Sequence, residues 1–168
     1  MQSALTYAEA RKRTVDLAGH YGTDQDKSVF VLGSFDPISK PLLEVVRSAL
    51  RNRYNCTAYL EDEFELGVGL QVKCNVLADL STFILVVITE AGKDRGWQIE
   101  LGDLLGVGRR NARKLGVYYE DFDHLSAPAK DIITNNPIRH GPLVISGDQE
   151  KTVKYLTTAV VTFFFQET

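Results

Sequence analysis

No stretch of the chain is apolar for long enough to cross a bilayer. The longest run, around Ala159 to Phe165, falls far short of the ~20 residues a spanning helix needs. The opening residues, MQSALTYAEARKR, carry charges where a secretory leader needs an apolar run. Both features predict a protein without membrane contact, in the cytoplasm. The only cysteines, Cys56 and Cys74, form neither a C-x-x-C pair nor a disulfide framework, so buried thiols in a reducing compartment are expected. His20, His124 and His140 are scattered, without zinc-ligand spacing, and the expectation is no metal and no cofactor. A net charge of −3 predicts no nucleic-acid-binding face.

Several signatures are missing as well. No G-x-x-x-x-G-K-[ST] string is present, which excludes a Walker-type phosphate loop. The first apolar run is followed by Gly33 alone, not by a dinucleotide fingerprint. That run ends in Gly33-Ser34-Phe35 instead of the acidic pair of a receiver domain. Ser-His-Asp chemistry has no nucleophile elbow to support it.

What is present is a regular alternation of short apolar runs and helical stretches. Hydrophobic residues make up 44% of the 168 positions, enough for the core of one domain. Residues 1–27 read as a helical extension to about His20 followed by a polar connector from Thr23 to Lys27. Residues 28–168 read as a single domain. Strands are predicted at Ser28–Leu32, Cys56–Leu60, Phe83–Ile88, Val117–Tyr119 and Leu143–Ile145. Phe83–Ile88 (FILVVI) is apolar on both faces, as a central strand covered by helices on both sides must be.

Helices are predicted over Leu42 to Leu50, Leu70 to Leu80, Gly96 to Leu115 and Ala127 to Ile133. Gly116 is read as the stop of the third. A final helix is expected from Glu150 to Phe165, with Ser146 and Gln149 at capping-box spacing. The fold class is therefore α/β: a Rossmann-like, doubly wound, five-stranded and mainly parallel sheet with helices on both faces.

In such sheets ligands sit beyond the carboxyl ends of the strands, near the switch in strand order. That rule selects the loops Gly33 to Pro37, Glu61 to Glu65 and Thr89 to Gly96. The first makes Gly33, Ser34, Phe35 and Asp36 candidate substrate-binding residues. The second is acidic and reads as a solvated edge. The third opens Asp94-Arg95-Gly96-Trp97-Gln98-Ile99-Glu100-Leu101-Gly102, where Asp94 fits a helix N-cap.

Helical spacing places Trp97, Glu100, Leu101 and Leu104 on one face. A carboxylate then sits on the stripe that packs against the sheet. Acids near helix starts are also ordinary structural choices, and tryptophan is commonly a core residue.

The pattern D-x-G-x-x-x-E-L-G, carried by Asp94, Gly96, Glu100, Leu101 and Gly102, resembles the active-site helix of nucleoside 2-deoxyribosyltransferases. Related nucleotide N-glycosidases share its glycine–glutamate core. In that family an earlier aspartate closes the preceding helix, as Asp79 does here, and a glycine ends the first strand, as Gly33 does. The order of parts also resembles NAD-cleaving TIR domains. Their tryptophan usually stands four residues before the glutamate, whereas Trp97 stands three before Glu100.

The resemblance implies cleavage of the N-glycosidic bond of a nucleoside, nucleotide or NAD-type substrate. Glu100 would be the catalytic carboxylate, and Asp79 or Asp94 would orient the sugar or help protonate the leaving base. Gly96 would belong to the substrate pocket, and Phe35 and Trp97 would stack on the base. It also implies a homo-oligomer, and three consecutive phenylalanines, Phe163 to Phe165, point the same way because they span too wide an arc of one helix to be buried together. The alternative is a catalytically silent nucleotide-sensing or protein-interaction module on the same fold.

Overall fold

The computed structural model describes residues 6–18, 24–63, 70–91, 114–145 and 147–166. Five strands form one sheet: β1 (Asp24–Gly33), β2 (Cys56–Leu60), β3 (Phe83–Ile88), β4 (Leu115–Tyr119) and β5 (Arg139–Pro142). Their order is β2-β1-β3-β4-β5 and every neighbouring pair is parallel. The described helices are α1 (Tyr7–Ala18), α2 (Ser39–Tyr54), α3 (Leu70–Leu80), α4 (Ala127–Asn135) and α5 (Gln149–Gln166). This is a doubly wound, Rossmann-like α/β fold with β3 at its centre. None of the described helices is long and apolar enough to cross a membrane.

Strand alternation builds two cores. Phe30, Leu32, Ile84, Val86, Ile88 and Val117 point to one face, where Leu77 of α3 and Ala129 and Ile133 of α4 cover them. Val29, Val31, Phe83, Leu85 and Val87 point to the other, against Leu43 and Val46 of α2 and Leu156 and Val160 of α5. All six residues of β3 are buried. Each such side chain contributes roughly 1.5–3 kcal/mol through removal from water, so β3 anchors both layers.

The boundaries differ from the sequence-based expectation in instructive places. The polar stretch read as a connector is the start of β1, with Asp24 opposite Cys56 and a register irregularity before Ser28. Backbone pairing at a sheet margin does not need apolar side chains, so the stretch carries no strand pattern. The helix before it is packed, not peripheral: α1 lies on α3, and Ala10 is fully buried in the core.

Gly116 is not a helix stop but a strand residue, and a Cβ there would meet the Phe83 ring at 2.7 Å. Accordingly β4 begins at Leu115, which the expected helix had claimed. The last strand is Arg139–Pro142, not Leu143–Ile145. Leu143 still donates its N–H to Tyr119 O at 2.6 Å, but Val144 is 69% exposed. As an edge strand paired on one side only, β5 tolerates polar residues and a terminal proline. Ser146 lies outside the described residues, and Asp148 Oδ1 accepts the N–H of Glu150 at the start of α5.

Candidate functional site

From β1 the chain moves outward to β2, then crosses back over β1 to β3. The switch in strand order therefore falls between β1 and β3, where Gly33 is the register partner of Val87. Two of the three loops selected from the sequence, those after Gly33 and after Ile88, leave these adjacent strands at their carboxyl ends. A crevice at that place is where sheets of this order hold their ligands.

Gly33 is needed for packing. A Cβ added to it would lie 2.9 Å from Val87 O and 3.0 Å from a Leu43 methyl, so only glycine lets α2 close over the strand end. Asp36 then starts α2: its Oδ1 accepts the N–H groups of Ile38 at 2.9 Å and Ser39 at 2.8 Å, and its carbonyl accepts from Lys40. Burial works to raise the Asp36 pKa. The Ser39 hydroxyl and N–H, with Ser34 and the Ile38 N–H, outweigh it and hold the carboxyl well below the usual range.

Capping uses only one carboxylate oxygen. Among the described residues, Asp36 Oδ2 and the buried Ser34 Oγ have no hydrogen-bond partner. Ser34 acts on Asp36 by proximity rather than through a formed bond. Two buried polar atoms beside the switch point are thus left with unspent hydrogen-bonding capacity.

Phe35, between them, is 40% exposed, which removes it from the core. Lys40 Nζ stands 4.9 Å from its ring centroid and 3.0 Å from Asp62 Oδ2. The hydrogen bond and charge of Asp62 raise the Lys40 pKa and keep the ammonium charged. On the β3 side, Ser39 Oγ and Thr89 Oγ1 form a buried hydrogen bond that ties α2 to the end of the central strand.

The remaining sequence-selected residues are distributed unevenly. Asp94, Gly96, Trp97 and Glu100 lie outside the described residues; in sequence, Asp94 is three positions beyond Ala91, the last described residue after β3. Asp79 is not at the switch point. It sits one residue before the end of α3, which leads into the amino end of β3, and its Oδ2 accepts a short hydrogen bond from the Tyr7 hydroxyl. The six residues of β3 separate that edge from the switch point by about 20 Å.

The acidic loop is not simply solvated. Glu63 Oε1 pairs with Arg47 at 3.1 Å and Arg51 at 2.8 Å, while its Oε2 accepts the Leu60 N–H.

Sequence reasoning missed a second group at the same edge of the sheet. Glu90 follows β3, and Glu120, Asp121 and His124 follow β4. Glu120 Oε1 accepts the Glu90 N–H at 3.0 Å, and His124 Nδ1 lies 2.9 Å from Glu90 Oε1 and 3.4 Å from Asp121 Oδ2. The carboxyl-end rule would have found them had it been applied to the loop after β4. Elsewhere, a groove between α2 and α5 is lined by Val45, Asn52, Arg53 and Glu150, away from this edge.

Fold and strand order together define a doubly wound α/β protein whose switch point lies at the carboxyl ends of β1 and β3. No protein-family model, curated protein or solved structure matches the chain.

Proposed function

We propose that the protein is an N-glycosidase or glycosyltransferase acting on a nucleoside, nucleotide or NAD-type substrate, with Glu100 as its catalytic carboxylate. The observation that carries this reading is the adjacency of two strand ends, those of β1 and β3. Phe35 and Asp36 follow β1, and the Asp94–Gly102 motif follows β3, its neighbour across the switch point.

In that arrangement Phe35 stacks on the base, and Asp36 Oδ2 accepts a sugar hydroxyl. Lys40 meets any phosphate the substrate carries. Breaking the C–N bond leaves the electron pair with the base, which takes up a proton, and positive charge on the anomeric carbon. Glu100 stabilises that charge or attacks the carbon, and water or a second base completes hydrolysis or transfer. Asp94 orients the sugar or supplies the proton. Asp79, at the opposite edge, has no part in it. A cytoplasmic location and a homo-oligomeric state complete the proposal. For the latter the resemblance is the support, since Phe163 is buried against Phe83 and Phe164 is half-buried within the chain.

A second reading, the catalytically silent sensing or interaction module, is favoured by the structural tasks of Gly33 and Asp36, which need no substrate to explain them. Incubation with a panel of nucleosides, nucleotides and NAD, monitored for free base, separates the two. The enzyme reading expects release from at least one member. It also expects Phe35→Ala to raise KM for that substrate, since a stacked base contributes about 1–3 kcal/mol. Binding without release by any panel member supports the module instead.

A further inference from the structure

We propose that Glu90, Asp121 and His124 form a binding site for one divalent transition-metal ion of the zinc type, independent of the glycosidase reading. One ligand atom from each residue lies within 4.8 Å of the other two. His124 Nδ1 faces two carboxylate oxygens, 2.9 Å and 3.4 Å away. Tetrahedral bonds of 2.0–2.2 Å place neighbouring ligand atoms about 3.3–3.6 Å apart. One observed spacing, 3.4 Å, falls in that range and the other, 2.9 Å, lies just below it, and the half-exposed side chains need only small rotations to bring both into it.

Two further observations separate this cluster from a chance meeting of surface acids. The first is charge. Glu120 adds a third carboxylate through its bond to the Glu90 N–H, yet no lysine or arginine among the described residues pairs with Glu120 or Asp121. A dication supplies the counter-charge that Glu120 and Asp121 do not receive from a lysine or arginine among the described residues.

The second is anchoring. Asp121 spends Oδ1 on the Asp123 N–H, which aims Oδ2 at His124. The turn Phe122–His124 is held to the sheet by Phe122 against Tyr119 at 5.4 Å and by buried Leu125. One imidazole nitrogen with two carboxylate oxygens suits zinc-like ions better than magnesium, which prefers an all-oxygen shell. Three protein ligands leave a fourth position for water, as in open zinc sites.

The test is calorimetric titration of the chelator-stripped full chain with zinc chloride, in a buffer that does not bind metal. One equivalent is expected to bind with micromolar affinity or better. His124→Ala and Asp121→Asn should each weaken it at least tenfold, the scale of even an outer-shell loss. Asp121→Asn keeps the oxygen that caps the turn, so its folding is secure, and His140→Ala should bind as wild type does. Magnesium chloride should bind at least tenfold more weakly. Absence of zinc uptake, wild-type uptake by both ligand variants, or magnesium binding as tight as zinc would each overturn the proposal.

Discussion

A methyl group added at Gly33 would press on the Val87 carbonyl and two Leu43 methyls at once. The methyls can rotate away, but a carbonyl within the central strand cannot. Gly33→Ala is therefore expected to destabilise the protein by about 1–3 kcal/mol, the usual range for overpacking, read from urea unfolding. Asp36→Ala removes the cap of α2 and should cost about 0.5–2 kcal/mol in the same measurement.

Asp36 also gives stability a pH dependence. Because its folded pKa lies below the unfolded value of about 3.9, its contribution is present above that pH and lost as pH falls through the lower, folded value. Asp36→Asn keeps the capping oxygen without the titration. The stability of wild type relative to this variant should fall below about pH 4 and hold steady between pH 5 and 7. At this scale the sequence marked Gly33 and Asp36 as special without revealing their tasks, because close approach and capping are properties of the packed strand end. Asp79 stands apart from the switch point because it lies near the end of α3, at the amino end of β3. Its motif neighbours in sequence lie beyond the other end of β3.

Among the elements, the link between α2 and β2 depends on Glu63. Its side chain and those of Arg47 and Arg51 are all less than a quarter exposed, and Arg51 Nε also donates to Ala58 O at 2.6 Å. Glu63→Gln keeps the shape but removes the carboxylate charge that two guanidinium groups share. The loss should be about 1.5–3 kcal/mol in chemical denaturation, the range for hydrogen bonds to charged groups. Lys114 plays a comparable part for α3, donating to Ala78 O and Ser81 O and so closing that helix's C-terminus.

The strands Cys56–Leu60 and Phe83–Ile88 were legible to the residue, since burial on both faces leaves an apolar run, interrupted only at Thr57. β5 was not, because an edge strand reading RHGP carries none of that pattern while the adjacent Leu143–Ile145 does. The same limit hid the first residues of β1, which are polar in sequence.

For the whole molecule, the alternation of strands and helices was enough to establish the doubly wound parallel sheet, and the two-sided apolarity of Phe83–Ile88 to establish the central place of β3. Strand order was not legible, and with it the adjacency of the carboxyl ends of β1 and β3, because alternation fixes handedness and layers but not which strand neighbours which. The central claim joins that adjacency to Glu100, and the most direct measurement compares free-base release by wild type and Glu100→Gln. With the substrate the panel identifies, the variant should turn over on the order of a hundredfold more slowly, while its thermal midpoint stays within a few degrees of wild type. Full activity in Glu100→Gln would contradict the account, as would the absence of base release by the wild-type protein from every substrate offered.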